Sequence, residues 1–169
     1  KEKTYHEEFS VNSNALVKLS NSYGNLDIVT WNENRVVIDV VITTSGNDEG
    51  KVKKKLDEIY VEFENNSSLV SAKTKFSKSG KSWWNWGNNN VNMNINYIVK
   101  MPITNSVDLN NDYGSINLDK LEGHAKIDCD YGKITTKELL AENNDINFDY
   151  TNNSYFEYIN SGEIKADYS

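Results

Sequence analysis

Four Asp-Tyr pairs recur at nearly equal intervals along the second half of the chain. They are Asp112-Tyr113, Asp130-Tyr131, Asp149-Tyr150 and Asp167-Tyr168. Successive tyrosines are 18, 19 and 18 residues apart. A fixed period of this length indicates that each interval forms one structural unit, with equivalent residues of neighbouring units side by side.

Within each unit, apolar and polar residues alternate, which is typical of a β-strand. The residues four positions before the tyrosines are Leu109, Ile127, Ile146 and Ile164. The sequence therefore predicts a mainly β fold, a single-stranded parallel β-helix or β-solenoid with coils of 18 to 19 residues.

The N-terminal half is less regular. Asn21-Ser-Tyr-Gly echoes the repeated units and predicts one early coil. The other predicted elements are a strand over 35–44, a short amphipathic helix over 48–58, a hairpin of 59–64 with 69–76, and an alternating strand over 91–101.

We expect a single solenoid domain over 1–169, with 1–101 as its irregular part and 102–169 as its regular coils. The residues Tyr168-Ser169 begin a further coil, so we also expect the native chain to continue. An exposed last strand favours self-association through the C-terminal edge.

These elements, in this order, resemble those of the bacterial putative adhesins, a family of unknown function. The resemblance covers nearly the whole chain and is carried by NDYGSINLDKLEG and CDYGKITTKEL, together with an alternating strand that ends in Met-Pro. It implies a β-helical, exported protein located in the periplasm, on the cell surface or outside the cell. It implies no catalytic residue, because the family has no established active site.

The charge of the chain is concentrated in its second half. Residues 102–169 carry five lysines and 13 acidic residues, a net charge of -8, whereas the whole chain carries -7. Arg35 is the only arginine. Nucleic acid is excluded as a partner, because phosphate binding needs clustered basic residues. No apolar run is long enough to span a membrane.

A tryptophan cluster in the sequence SGKSWWNWGNNN is the first candidate binding site. Trp83, Trp84 and Trp86 lie among glycines and asparagines. They predict either a flat platform for sugar rings or a protein contact, or else a loop that covers exposed strand edges.

The aspartates of the four pairs are the second candidate site. A column of Asp112, Asp130, Asp149 and Asp167 suits calcium, which prefers oxygen ligands. The alternatives are that each aspartate accepts backbone N–H groups at its own turn, or that two of them act as a carboxylate pair on a polysaccharide.

The remaining reactive residues form no catalytic motif. His6 and His124 have no partner at a known spacing, and Cys129 falls in a column predicted to be buried. We therefore expect a non-enzymatic, envelope-associated binding or structural module that needs no cofactor. The runner-up is a carbohydrate-binding module that uses the tryptophans, and an enzyme that uses the stacked acids is third.

Overall fold

A computed structural model describes residues 1–77 and 90–168, and within these ranges the chain forms two seven-stranded β-sheets and one helix. In spatial order, the first sheet contains β1 (Glu2–Ser10), β4 (Arg35–Ser45), β7 (Asn92–Pro102), β3 (Leu26–Trp31), β9 (Ile116–Leu118), β11 (Ile134–Leu139) and β13 (Tyr155–Ile159).

The second sheet contains β14 (Gly162–Asp167), β12 (Asn144–Asp149), β10 (Ala125–Asp130), β8 (Ser106–Asp112), β2 (Leu16–Ser22), β6 (Leu69–Phe76) and β5 (Ile59–Asn66). Helix α1 (Glu49–Glu58) connects β4 to β5.

The prediction of a mainly β chain is confirmed, but the prediction of a single-stranded parallel β-helix or β-solenoid is wrong. Each sheet mixes parallel and antiparallel pairs, which gives a sandwich-like fold. The pairs β1–β4, β4–β7 and β5–β6 are antiparallel, whereas β2–β8, β8–β10 and β10–β12 are parallel. The Asp-Tyr period described only the parallel part, because the antiparallel strands β1, β4 and β5 carry no matching repeat.

Inside the parallel part, the period predicted the register correctly. Leu109 pairs with Ile127, and Ile127 pairs with Ile146. All three side chains are fully buried in a core cluster that contains residues of both sheets. Alternation along each strand thus places one apolar face between the sheets.

The predicted helix and hairpin are also present. Helix α1 begins at the N-cap Asp48, whose side chain accepts a hydrogen bond from the Lys51 backbone N–H at 3.1 Å. Val52 and Leu56 are buried, as their spacing predicted. No helix in the described ranges has the length and apolar character needed to cross a membrane.

Candidate functional site

Five tyrosines stack in a continuous column that crosses the second sheet, each directly after the carboxyl end of one of its parallel strands. Their order is Tyr23, Tyr113, Tyr131, Tyr150 and Tyr168. Neighbouring ring centroids are 4.7 to 5.3 Å apart, and neighbouring planes are within 4° of parallel. We call these five residues the tyrosine ladder.

The backbone explains why the ladder forms. Every ladder residue has a positive φ, from 52° to 61°, which is costly for a tyrosine and turns the chain sharply after the strand. The Tyr113 N–H donates to the Asp130 carbonyl at 3.0 Å, and the Tyr131 N–H donates to the Asp149 carbonyl at 3.0 Å. Successive turns therefore lie in register, and the rings that follow them stack.

The exposed surface of the ladder consists mainly of ring edges and hydroxyl groups. The rings are 39 to 78% exposed, but the faces of Tyr113, Tyr131 and Tyr150 are covered by the neighbouring rings. The ladder therefore offers a ligand a row of phenolic hydroxyls rather than a flat aromatic platform.

The predicted column of aspartates is present beside the ladder. Asp112, Asp130, Asp149 and Asp167 are paired in register on adjacent parallel strands. Partial burial raises the pKa of Asp112 above its ordinary value, and the nearby carboxylates of Asp130 and Asp128 raise it further.

The calcium prediction for this column gains no support from the structure. Among residues 1–77 and 90–168, no group of three or more His, Cys, Asp or Glu side chains is arranged to hold a metal ion. We therefore propose no metal site at the aspartates.

A cleft of about 340 Å³ opens at the start of the ladder. Its walls come from the turn that precedes β3, from β7 and from the turn that follows β8. Its lining residues are Tyr23, Gly24, Asn25, Met93, Asn94, Asn96, Tyr113 and Gly114. We call this the Asn-Tyr cleft.

Two asparagines of the cleft are held in place by backbone hydrogen bonds. The Asn25 N–H donates to Oδ1 of Asn96 at 2.9 Å, and Oδ1 of Asn25 accepts from the Ser115 N–H at 2.9 Å. Neither Nδ2 group of Asn25 and Asn96 makes a hydrogen bond within the described residues, so both donors remain for a ligand. The side chain of Asn94 is exposed on the same strand face as Asn96.

The lining of the Asn-Tyr cleft carries no formal charge, in contrast to that of three other clefts. The cleft beside Asp27 includes Asp119 and Lys137. The lining of the cleft along β5 and β6 includes two glutamates and three lysines, and the lining of the cleft along α1 includes two lysines and two acidic residues. Uncharged amides and phenols distinguish the Asn-Tyr cleft.

The predicted tryptophan site, Trp83, Trp84 and Trp86, lies outside the described residues. Near that segment in sequence, Ser77 lines the cleft beside α1, whereas Phe76 and Met93 lie at the Asn-Tyr cleft. Phe76 makes an edge-on contact with Tyr23, with centroids 6.4 Å apart, and Met93 lines the cleft itself.

Of the other reactive residues, Cys129 lies behind the cleft lining, with its thiol 3.5 Å from the Gly114 carbonyl oxygen. Cys129 is fully buried, as predicted, and burial raises the pKa of its thiol to about 12. His6 is exposed on β1 and contacts Asp39.

Sequence reasoning missed the Asn-Tyr cleft. The alternation in β7 placed Asn94 and Asn96 on one face, but a polar face is what any half-exposed strand shows. Only the parallel pairing of β3 with β7, with Leu26 opposite Tyr97, brings Asn25 next to Asn96.

No family model matches the chain, and no curated protein matches it significantly. Among solved structures, one described as a putative cell adhesion protein from Clostridium sporogenes is 14% identical, with a TM-score of 0.40, and the match covers 99% of this chain and 98% of that one. Another, described as a putative adhesin from Bacteroides fragilis, is 10% identical, with a TM-score of 0.31, and the match covers 98% and 96%.

A third solved structure, described as a putative lipid binding protein from Parabacteroides distasonis, is 10% identical, with a TM-score of 0.36. That match covers 96% of this chain and 61% of that one. Proteins described as adhesins are thus among the structures similar to this chain, in agreement with the resemblance seen in the sequence. Likenesses at these scores show neither a shared ligand nor a shared activity.

Proposed function

We propose that the chain is a non-catalytic, adhesin-type binding module that recognises a neutral glycan in the Asn-Tyr cleft. The observation that carries the proposal is the uncharged lining of the cleft, in which one exposed and two half-buried amides lie beside two tyrosine rings. Amide groups both donate and accept hydrogen bonds, as sugar hydroxyls do, and tyrosine adds a hydroxyl and apolar ring area.

The chemistry of the lining favours a glycan over other ligands. A hydrophobic ligand would leave the Nδ2 donors of Asn25 and Asn96 without partners, which is costly in a desolvated site. An anionic ligand would meet the net charge of -8 on residues 102–169 and the carboxylate of Asp112, which adjoins Tyr113. A neutral, hydroxyl-rich ligand avoids both costs.

The ladder extends the same chemistry away from the cleft. Tyr113 belongs to both the cleft and the ladder, so a chain of sugar units that enters the cleft can continue along the hydroxyls of Tyr131 and Tyr150. This arrangement favours an extended polysaccharide over a single sugar.

Binding without catalysis fits the lining residues. Glycoside hydrolysis commonly needs two carboxyl groups on either side of the bond that breaks. Among the described residues that line the cleft, there is no carboxylate, histidine or thiol. The aspartate column lies along one line of adjacent strands and does not face a second set of acids across the cleft lining.

An array of neutral, acidic and basic glycans tests the proposal. We expect binding to neutral glycans that weakens little when the salt concentration rises, because no ion pair contributes. Binding restricted to acidic glycans, or to none of the three classes, would contradict the proposal. Incubation with the bound glycan should leave its reducing ends unchanged, and an increase would contradict the non-catalytic role.

The tryptophan segment is a second candidate for the same ligand class, since Trp83, Trp84 and Trp86 offer ring faces on which sugars can stack. Variants Trp84→Ala and Trp86→Ala separate the two sites. If they abolish glycan binding while Asn94→Ala does not change it, the tryptophans and not the Asn-Tyr cleft hold the sugar.

We further propose that the module acts outside the cytoplasm, in the periplasm, on the cell surface or after secretion. The support is the sequence resemblance to adhesins, together with a ligand class that is common on cell surfaces. Cell fractionation with an antibody against the chain tests this, and recovery in the cytoplasmic fraction alone would contradict it.

A further inference from the structure

Strand β14 forms the end of the second sheet, and its outer side has no neighbouring strand in the described ranges. All six of its residues are exposed. The Asn144 N–H donates to the Ser161 carbonyl at 3.1 Å, and the Tyr150 N–H donates to the Asp167 carbonyl at 3.0 Å. The carbonyl groups of the odd-numbered residues of this strand thus face β12. Because backbone groups alternate in direction along a strand, the N–H and C=O groups of Gly162, Ile164 and Ala166 point away from the sheet.

An apolar side chain is also left uncovered on this strand. Ile164 continues the column of Leu109, Ile127 and Ile146, which are fully buried, yet it is 47% exposed. A terminal unit of a stacked array normally carries polar residues at such positions. Ile164 therefore has the character of an interior residue at an exposed position.

The strands at the opposite edges of the two sheets carry more net charge than β14. The outer strand β1 carries Glu2, Lys3, Glu7 and Glu8 along its length, and the outer strand β5 carries exposed Glu62. Charged residues of this kind discourage pairing with other strands. Strand β14 carries three charged residues, and the two that flank Ile164, Glu163 and Lys165, have opposite signs and lie 3.5 Å apart.

We propose that β14 pairs with β14 of a second copy of this chain, antiparallel, around a two-fold axis at Ile164. In this register, Ile164 lies opposite Ile164 of the second copy. Glu163 lies opposite the second copy's Lys165, and Lys165 lies opposite its Glu163. Two complementary charge pairs then flank a buried isoleucine pair, and the outward N–H and C=O groups of both strands are satisfied.

The charges select this register over its neighbours. A register centred on Lys165 places Lys165 opposite Lys165 of the second copy and Glu163 opposite the second copy's Asp167. Every charged pair in that register repels. A centre on Glu163 places two glutamates together. A one-residue change of register would place the core-facing Ile164 opposite a residue whose side chain faces solvent. Strands with one buried face disfavour such a register.

This interface leaves the Asn-Tyr cleft open. The cleft lies at Tyr23 and Tyr113, whereas β14 ends next to Tyr168, at the other end of the ladder. The proposal does not depend on the proposed function, but together they give a bivalent module, since each copy contributes one cleft.

Sedimentation velocity of the full chain over a range of concentrations tests the pairing. We expect a dimer whose dissociation constant rises by roughly tenfold or more in Lys165→Glu and in Glu163→Lys, because each variant places like charges opposite each other twice. An equimolar mixture of the two variants should dimerise again, since one chain then offers two lysines and the other two glutamates. The double variant Glu163→Lys/Lys165→Glu should also dimerise, because the swap restores both pairs.

Lys54→Glu is the matched control, since it changes the net charge equally at an exposed site on α1. It should dimerise like the unmodified chain, and circular dichroism should show that all variants remain folded. A chain that stays monomeric at every concentration overturns the proposal and indicates another occupant for the β14 edge. Single variants that dimerise normally, or a mixture that stays monomeric, overturn it as well.

Discussion

Gly132 lies directly against the backbone of Gly114. A Cβ atom on Gly132 would fall 1.8 Å from the Gly114 carbonyl oxygen, and a Cβ atom on Gly114 would fall 1.8 Å from the Gly24 carbonyl oxygen. At the turns after Tyr23, Tyr113 and Tyr131, the backbones can approach this closely because a glycine follows each tyrosine.

The substitution Gly132→Ala should therefore destabilise the fold by about 3 kcal/mol or more, because backbone and not a flexible side chain blocks the methyl group. Denaturant unfolding measures the change. Gly50→Ala is the control, since its nearest contact is Asp48 Oδ1 at 3.3 Å and alanine favours a helix. Equal stability of the two variants would contradict the close approach.

Ring stacking in the ladder predicts a second stability change. Tyr131 stacks on Tyr113 at 4.9 Å and on Tyr150 at 4.8 Å. Tyr131→Ala removes both contacts and should lower the free energy of unfolding by about 1–3 kcal/mol, whereas Tyr131→Phe keeps the stack and should change it little.

Tyr60→Ala is the control for this change. Tyr60 is 40% exposed on β5 and has no ring partner among the described residues, so its loss should matter less. If Tyr131→Ala and Tyr60→Ala melted at the same temperature, the stacked rings would contribute nothing to stability.

Burial of Cys129 predicts an unreactive thiol. Burial raises its pKa to about 12, so the thiolate that attacks alkylating reagents is scarce at pH 8 in the folded chain. Iodoacetamide should label Cys129 at pH 8 only after unfolding, which mass spectrometry detects. The folded state holds this proton more tightly than the unfolded state, whose thiol pKa is near 9, so stability should fall above about pH 9. Rapid labelling of the native chain would contradict this burial.

The pair of His6 and Asp39 predicts a pH dependence that is local to β1 and β4. The hydrogen bond to Asp39, together with its charge, raises the pKa of His6 above 6.5. The stabilising contribution of the pair is complete below the ordinary histidine pKa and is lost as pH rises through the raised value. In an NMR titration, Asp39→Asn should lower the midpoint of His6, and an unchanged midpoint would contradict the contact.

The sequence allowed prediction of local structure better than of sheet order. Period two in β7 and the spacing of Val52 and Leu56 in α1 each reflect burial of one face, which a single sequence displays. The columns through Leu109 and Ile127 were predictable for the same reason. Each of these inferences depends on residues that are close in sequence or related by the Asp-Tyr period.

The antiparallel pairings of β4 with β1 and with β7 were not predictable in this way. The pairing of β4 with β7 joins residues about 60 positions apart, such as Val40 and Tyr97, and nothing repeats between them. The Asn-Tyr cleft depends on the same long-range pairings, because Asn25 meets Asn96 only through β3 and β7. The aspartate column, in contrast, followed from the period alone.

The most direct test of the central claim is isothermal titration of a neutral glycan from the array into two matched variants. Asn94→Ala removes an exposed amide that lines the Asn-Tyr cleft, and Asn92→Ala removes an exposed amide on the same face of β7 outside the lining. We predict that Asn94→Ala weakens binding by about three- to tenfold, the effect of one lost hydrogen bond, and that Asn92→Ala leaves it unchanged. Equal affinity of the Asn94→Ala variant and the unmodified chain would contradict a glycan site in the cleft.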